Sequence, residues 1–423
     1  AFASRCGLTI NVDLLTIDPV AADWGDFKIR PEQVAVQRAE WTLKALFNEE
    51  LGVVVQVDKA QRSAFMDILR AHDLSKYAFE VASPNPRDSI EIYRDAKCVF
   101  SAPRKKLQAA WSSASSLIAG QRDNPQAVAQ EYEDQLLATD PMPVVLPDAL
   151  IKALQAPMVN RGASPKVAVL REQGVNGQVE MAAAFHAAGF EAWDVHMSDL
   201  AEGRVALKDF QGFVACGGFS FGDVLGAGQG WSRSILYNDQ LRSQFADFLA
   251  SQDRFALGVC NGCQMVSGLA PIIPGAEHWP RFKRNLSEQF EARLSFVEVV
   301  DSPSAFFRDM AGARLPIVVS HGEGRADWSH HQDAGRAQAQ SLVAMRYVNH
   351  QGQPADRYPA NPNGSADGIT AVTTTSGHVT ILMPHPERVF RNAQFSYLPP
   401  ALRALGDQSP WLQMFRNAYR WVQ

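Results

Sequence analysis

Hydrophobic positions along this chain change their period from one region to the next. In residues 1–100 short apolar runs alternate with amphipathic stretches. Leu8 to Leu15 alternates apolar and polar residues, and Gly52–Val57, Tyr77–Val81 and Ser89–Tyr93 read as further strands. Pro31–Phe47 has helical spacing with proline at its first turn, and Gln61–Leu74 gathers apolar residues on one helical face. This predicts an α+β layer whose sheet is covered by helices on one face.

Residues 101–165 follow another pattern. Lys105–Leu117 and Gln126–Leu137 have helical spacing and are separated by Arg122-Asp-Asn-Pro125. Pro141, Pro143, Pro147, Pro157 and Pro165 then punctuate a poorly periodic stretch, read as a linker after a helical connector. From Lys166 the pattern changes again. Lys166–Leu170, Phe190–Val195, Gly212–Cys216 and Arg254–Val259 are strand-like, and Val179–Ala188 and Leu241–Leu249 are helical. Strands alternating with helices predict an α/β fold with a parallel, doubly wound sheet, so residues 166–423 form the domain in which a site is sought. Sites in such sheets lie off the carboxyl ends of the strands. Three loops converge there: Arg171–Gly177, Cys216–Asp223 and the turn at Cys260. After Arg293 the chain turns strand-rich, through Pro316–Ser320 and Leu342–Val348. Gly368–Met383 reads as a hairpin turning at Ser376-Gly377, and it leads to His385.

Composition narrows the function classes. A chain of 423 residues exceeds one ordinary core, so two or three domains are expected. The net charge of −5 gives no electrostatic reason to expect nucleic acid. The apolar runs are too short to span a bilayer. Five scattered cysteines fit a reducing compartment better than a disulfide scaffold, and a cytoplasmic location is expected.

The chemistry concentrates in Phe255-Ala-Leu-Gly-Val-Cys-Asn-Gly-Cys-Gln264. An apolar strand ends in Gly-x-Cys-x-Gly and a helical segment follows, which is the layout of a nucleophile elbow with cysteine as nucleophile. A thiol needs a neighbouring base or a helix N-terminus to become reactive. Pro384-His-Pro-Glu387 offers that base, His385, with Glu387 two residues on to orient it. The backbone N–H of Asn261, paired with that of Gly218 or Phe219, would form an oxyanion hole. Other readings compete. Cys260-Asn-Gly-Cys263 is also a C-x-x-C, open to thiol–disulfide chemistry, while a metal site lacks a second ligand pair of suitable spacing. A cysteine hydrolase or peptidase on a flavodoxin-like sheet would use the same nucleophile.

Gly258-Val-Cys-Asn-Gly262-Cys-Gln264 with Pro384-His-Pro-Glu387 resembles the class I, triad-type glutamine amidotransferases. Cys216–Asp223, Trp279–Ser287, His321-Gly-Glu-Gly-Arg325 and Asn361-Pro-Asn-Gly-Ser365 resemble, more narrowly, the phosphoribosylformylglycinamidine synthase (formylglycinamide ribonucleotide amidotransferase) family of purine biosynthesis. The resemblance implies a flavodoxin-like domain in which Cys260 attacks the glutamine amide, His385 moves the proton and Glu387 orients His385. It also implies that Gly218, Phe219 and Asn261 surround the oxyanion, and that Gln264, His321, Glu323, Asn363 and Ser365 line the glutamine pocket. Ser4–Leu8 and Leu46–Gly52 are similar to the end of the family's synthetase domain. The resemblance then implies that residues 1–100 are the last part of that α+β domain, that 101–165 link it to the glutaminase, and that the chain is a C-terminal portion. ATP, Mg²⁺ and the ribonucleotide would belong to the intact enzyme's synthetase site, whose remainder is the implied partner. No cofactor is implied for the glutaminase domain, and no metal ligand.

Overall fold

The protein is described by a computed structural model, which covers residues 1–16, 31–136, 144–157, 164–329 and 334–423. Pro141, Pro143 and the end of the stretch predicted as a helix to Leu137 lie outside the described residues. The chain divides into two units, one made of Ala1–Leu117 and Tyr132–Leu137, the other of Ile118–Glu131 and Ala138–Gln423.

In the first unit four strands form one sheet: β1 (Gly7–Asn11), β2 (Ala82–Asn85), β3 (Ser89–Arg94) and β4 (Lys97–Pro103), in the order β2-β1-β3-β4. The β1–β3 pair is parallel, whereas β1–β2 and β3–β4 are antiparallel. The helices Pro31–Phe47 and Arg62–Ala71 match the predicted spans closely. Three details differ from the pattern reading. Gly52–Val57 carries β-branched residues but forms no strand; Val53 and Val54 stand 87% and 93% exposed. Tyr77–Val81 is not a strand either, since a 3-10 turn fills Ser75–Tyr77 and β2 begins only at Ala82. Strand β4 was not anticipated, because its hairpin turn is made by Asp95 and Ala96, both left-handed (φ 52° and 57°), without the glycine that marks such turns.

The second unit is built on a nine-stranded sheet. Its parallel strands are β5 (Lys166–Arg171), β6 (Glu191–His196), β7 (Gly212–Ala215) and β8 (Phe255–Val259). The antiparallel pair of β9 (Arg281–Lys283) and β12 (Arg325–Asp327) forms a separate two-stranded sheet. The strands β10 (Glu291–Val299), β11 (Arg314–His321), β13 (Val343–Tyr347), β14 (Ile369–Thr373) and β15 (Val379–Leu382) complete it, in the order β11-β10-β13-β14-β15-β8-β7-β5-β6. The hairpin β14–β15 is antiparallel and β15 pairs parallel to β8, so β15 closes the parallel half. Counted along the chain, that half runs 2-1-3-4-5, the flavodoxin-like order, with its crevice off the carboxyl ends of β5 and β7. Every residue of β7, β8, β14 and β15 is buried, as expected of strands covered on both faces.

Aromatic packing secures the end of the sheet opposite that crevice. Phe255, at the start of β8, stacks on Phe185 at 5.8 Å and meets Phe190 and Phe306 edge-on at 5.5 Å. Phe185 and Phe190 in turn receive Phe415 and Tyr419 of the C-terminal helix Leu412–Trp421. Residues 144–157, within the stretch read as linker, join this core too. Val145 pairs with Arg314, and the helix Asp148–Gln155 buries Leu150, Ala153 and Leu154. No helix among the described residues is long and apolar enough to cross a membrane.

Truncating Phe255 to alanine removes the ring shared by three aromatic neighbours and leaves a cavity under β8. The expected cost is about 3–5 kcal/mol of stability for this unit, read as a lower urea midpoint of the full chain.

Candidate active site

Three adjacent strands end in one cavity of about 250 Å³, lined among others by Gly218, Phe219, Cys260, Gln264, His321, Glu323 and His385. Strand β8 delivers Cys260 as the N-cap of the helix Asn261–Gly268, with φ 53° and ψ −112°. L-residues rarely adopt this conformation, and holding it costs on the order of 1–3 kcal/mol. It is secured on both sides: the Cys260 N–H donates to the Leu382 carbonyl on β15, and the Gln264 N–H donates to the Cys260 carbonyl. Gly262 lets the helix close down, since a Cβ there would lie 1.9 Å from the Ala215 carbonyl oxygen at the end of β7. The thiol of Cys260 points toward the Ser320 carbonyl at 3.5 Å, and its residue is 6% exposed.

Strand β15 delivers the base. His385 Nδ1 lies 2.6 Å from Glu387 Oε1, and both residues are buried. Its Nε2 is buried with no hydrogen-bond partner and adjoins the sulfur of Cys260. Burial pushes the imidazole pKa down, but the Glu387 carboxylate and the Cys260 sulfur outweigh it and raise it to about 10. The imidazolium is therefore the resident form at neutral pH. His321, equally buried in the same cavity, goes the other way: burial, and then the positive His385, lower its pKa to about 3. Gly217 is the meeting point of base and nucleophile. A Cβ there would lie 2.8 Å from His385 Cε1 and 3.2 Å from Cys260 Cβ.

Strand β7 delivers backbone donors. No carbonyl among the described residues accepts from the N–H of Gly218 or of Asn261. Phe219 differs from expectation. Its N–H donates to the Gly174 carbonyl at 2.8 Å, a bond that ties the Cys216–Asp223 loop to the Arg171–Gly177 loop. That donor is taken, and Phe219 contributes its half-exposed ring to the rim beside Phe290 instead. A nearly buried thiol, a histidine–carboxylate pair and a glycine N–H that no carbonyl among the described residues accepts from thus meet at one cavity, a set suited to thiol chemistry with proton transfer.

Of the residues expected to line a pocket, Gln264, His321 and Glu323 do so, whereas Asn363 and Ser365 do not. The latter two are buried behind the turn His321–Arg325 and hold it in place. Asn363 Nδ2 donates to the Gly324 carbonyl at 2.8 Å, Ser365 Oγ donates to Asn363 Oδ1 and accepts from the Ala326 N–H. Asn285, inside the Trp279–Ser287 motif but not named as a site residue, donates to the His321 carbonyl and accepts from the Gly324 N–H. Asn176, Asp223, Phe290 and Arg388 also line the cavity. Asn176 and Asp223 lie inside motifs already marked, and Arg388 directly follows Glu387; Phe290 carried no signal. Cys263 is fully buried in the core, and all five cysteines are free. Among the described residues no group of three or more His, Cys, Asp or Glu side chains is placed to hold a metal ion.

Residues 164–422 match the family model of the CobB/CobQ-like glutamine amidotransferase domain. Among solved structures the chain is similar to PurLQS from Thermotoga maritima, at 22% identity and a TM-score of 0.46, covering 62% of this chain and 100% of that one. It is also similar to a glutamine amidotransferase from the same organism, at 16% identity and a TM-score of 0.38, covering 62% of this chain and 99% of that one.

Two outcomes are expected from the geometry alone. Gly217→Ala inserts a methyl between Cys260 and His385, so alkylation of Cys260 by iodoacetamide should slow by about 100-fold while the melting temperature moves little. Glu387→Gln removes the anion that holds the imidazole charged. The His385 titration, followed by its ring NMR shifts, should then move down from about 10 rather than up.

Proposed function

Because the chain belongs to the CobB/CobQ-like glutamine amidotransferase family, we propose that its second unit hydrolyses glutamine through a Cys260–His385–Glu387 triad. The observation that carries this reading is the cysteine in a left-handed elbow, opening into a cavity beside a buried histidine–carboxylate pair. His385 holds the proton that Cys260 Sγ gives up as the sulfur attacks the side-chain amide carbon. The tetrahedral oxyanion takes the N–H groups of Gly218 and Asn261. His385 gives its proton to the departing ammonia, leaving a γ-glutamyl thioester on Cys260. Water, deprotonated by His385, then releases glutamate and restores the thiol.

The narrower reading is that this ammonia serves the phosphoribosylformylglycinamidine synthase reaction. It is supported by the motifs Cys216–Asp223, Trp279–Ser287, His321–Arg325 and Asn361–Ser365, all four of which contribute to or brace the cavity. On this reading residues 1–100 are the last part of a synthetase domain. The remainder of that domain is the partner that takes the ammonia and, with ATP and Mg²⁺, converts formylglycinamide ribonucleotide to the amidine. Among the described residues no group of three or more His, Cys, Asp or Glu side chains is placed to hold Mg²⁺.

The test is reaction with 6-diazo-5-oxo-norleucine, an electrophile shaped like glutamine. A single adduct mapping to Cys260, prevented by excess glutamine and lost in Cys260→Ala, is expected. Glutaminase activity should fall by at least about 100-fold in His385→Ala. Absence of the adduct from folded protein, persisting after the synthetase portion is added back, would overturn the reading.

A further inference from the structure

We propose that Glu180 is a positioning residue for the histidine–carboxylate pair: it holds the Arg388 guanidinium away from Glu387, so that this carboxylate stays with His385. The catalytic consequence rests on the glutaminase reading above. Glu387 is fully buried, and its two oxygens are unequally served. Oε1 accepts from His385 Nδ1 at 2.6 Å, whereas Oε2 is buried without a hydrogen-bond partner. A buried carboxylate oxygen in that state attracts any donor that can reach it. Arg388, the next residue along, carries such donors. Its Nε lies 3.3 Å from Glu180 Oε1 and 4.0 Å from Glu387 Oε1, so it bonds the first and not the second. A shift of about 1 Å would bring it within hydrogen-bond distance of Glu387. Arginine takes carboxylates through two parallel N–H bonds, so a guanidinium released from Glu180 would compete with His385 for Oε1.

The anchor is fixed independently of the base. Glu180 stands in the first turn of the helix Gln178–Ala187. The loop entering that helix is pinned to the segment that follows β7. The N–H groups of Asn176 and Gly177 both donate to the Gly217 carbonyl at 3.1 Å, Phe219 N–H donates to Gly174, and Phe221 N–H donates to Gln173 at 3.1 Å. Glu180 therefore keeps its place by contacts with the segment carrying Gly217 and Gly218, while Arg388 belongs to the turn carrying His385. The charges form an alternating row, positive His385, negative Glu387, positive Arg388 and negative Glu180. Cys216 shows that the two carboxylates converge: burial first, then the charges of Glu387 and Glu180, push its thiol pKa well up. Glu180 and Arg388 are each partly exposed, so their ion pair adds little to stability. Its effect is on where the guanidinium sits.

The test uses the full chain and two readouts, glutaminase kinetics and the proton resonance of the hydrogen bond from His385 Nδ1 to Glu387. In Glu180→Gln the released guanidinium turns to Glu387, so kcat should fall by about tenfold or more while KM for glutamine stays within about twofold. The resonance should move upfield in the same variant, because Oε1 is then shared. Adding Arg388→Met to Glu180→Gln removes the competitor. The double variant should recover kcat to within about threefold of the unaltered protein and bring the resonance back. Unchanged kcat and resonance in Glu180→Gln overturn the proposal, as does a loss that Arg388→Met fails to repair or one confined to KM. Should Glu180→Gln not fold, Glu180→Asp with and without Arg388→Met repeats the comparison. The resonance is read without glutamine. Its movement and recovery in a chain with no glutaminase activity would sink the glutaminase reading and leave the positioning of Glu387 standing.

Discussion

The backbone of Cys260 is the constraint on which the second unit depends. Its left-handed φ of 53° is unfavourable for a residue with a side chain, and it persists because neighbours on both sides leave no alternative. The Leu382 carbonyl fixes its N–H, the first helical turn fixes its carbonyl, and the Ala215 carbonyl presses against Gly262 so closely that no side chain fits there. The first and last of those contacts come from strands adjacent to β8. The elbow therefore requires β15 on one side and β7 on the other, and the sheet order supplies both. The same two strands then run on into the other working parts: β15 to His385 and Glu387, β7 to Gly217 and Gly218. One strained residue and its two flanking strands place Cys260, the His385–Glu387 pair and the Gly218 N–H together.

Much of this arrangement is legible in the order of residues, because it is local. Phe255–Val259 is a continuous apolar run ending in Gly-x-Cys-x-Gly, and only a buried parallel strand entering a tight turn suits it. The β14–β15 hairpin is legible from two β-branched runs about Ser376-Gly377. What escaped depends on neighbours far along the chain. Gly52–Val57 has the composition of a strand but forms none, and composition reports only side-chain preference. The helix Asp148–Gln155 hides among prolines, and its apolar face gains meaning only against the core that buries Leu150 and Leu154. β4 is entered through Asp95 and Ala96, a turn without glycine.

The site divides along the same line. Cys260, His385 and Glu387 stand out because their spacing and flanking residues carry chemistry. The roles of Phe219, Asn363 and Ser365 are not separable by spacing. A backbone N–H is free or taken according to a carbonyl more than forty residues away, as Gly174 shows for Phe219. Asn363 and Ser365 sit in a motif that touches the cavity only through the turn they brace. Polar residues with small, fully engaged side chains suit such bracing, since each buried donor left unpaired would cost about 1–3 kcal/mol. Their motif is as recognisable as that of a contact residue, and only the hydrogen bonds reveal which of the two they are.

The two histidines of the cavity show how little separates a base from a bystander. His321 and His385 are buried to the same degree, and desolvation pushes both toward the neutral form. What differs is what each ring faces. Glu387, held at 2.6 Å by the short segment through Pro386, together with the Cys260 sulfur reverses the effect of burial on His385. The resulting positive charge then helps keep His321 neutral. These neighbours thus favour opposite protonation states in one space. The charged form is favoured at His385, and the neutral form at His321, where a second positive charge would compete with it.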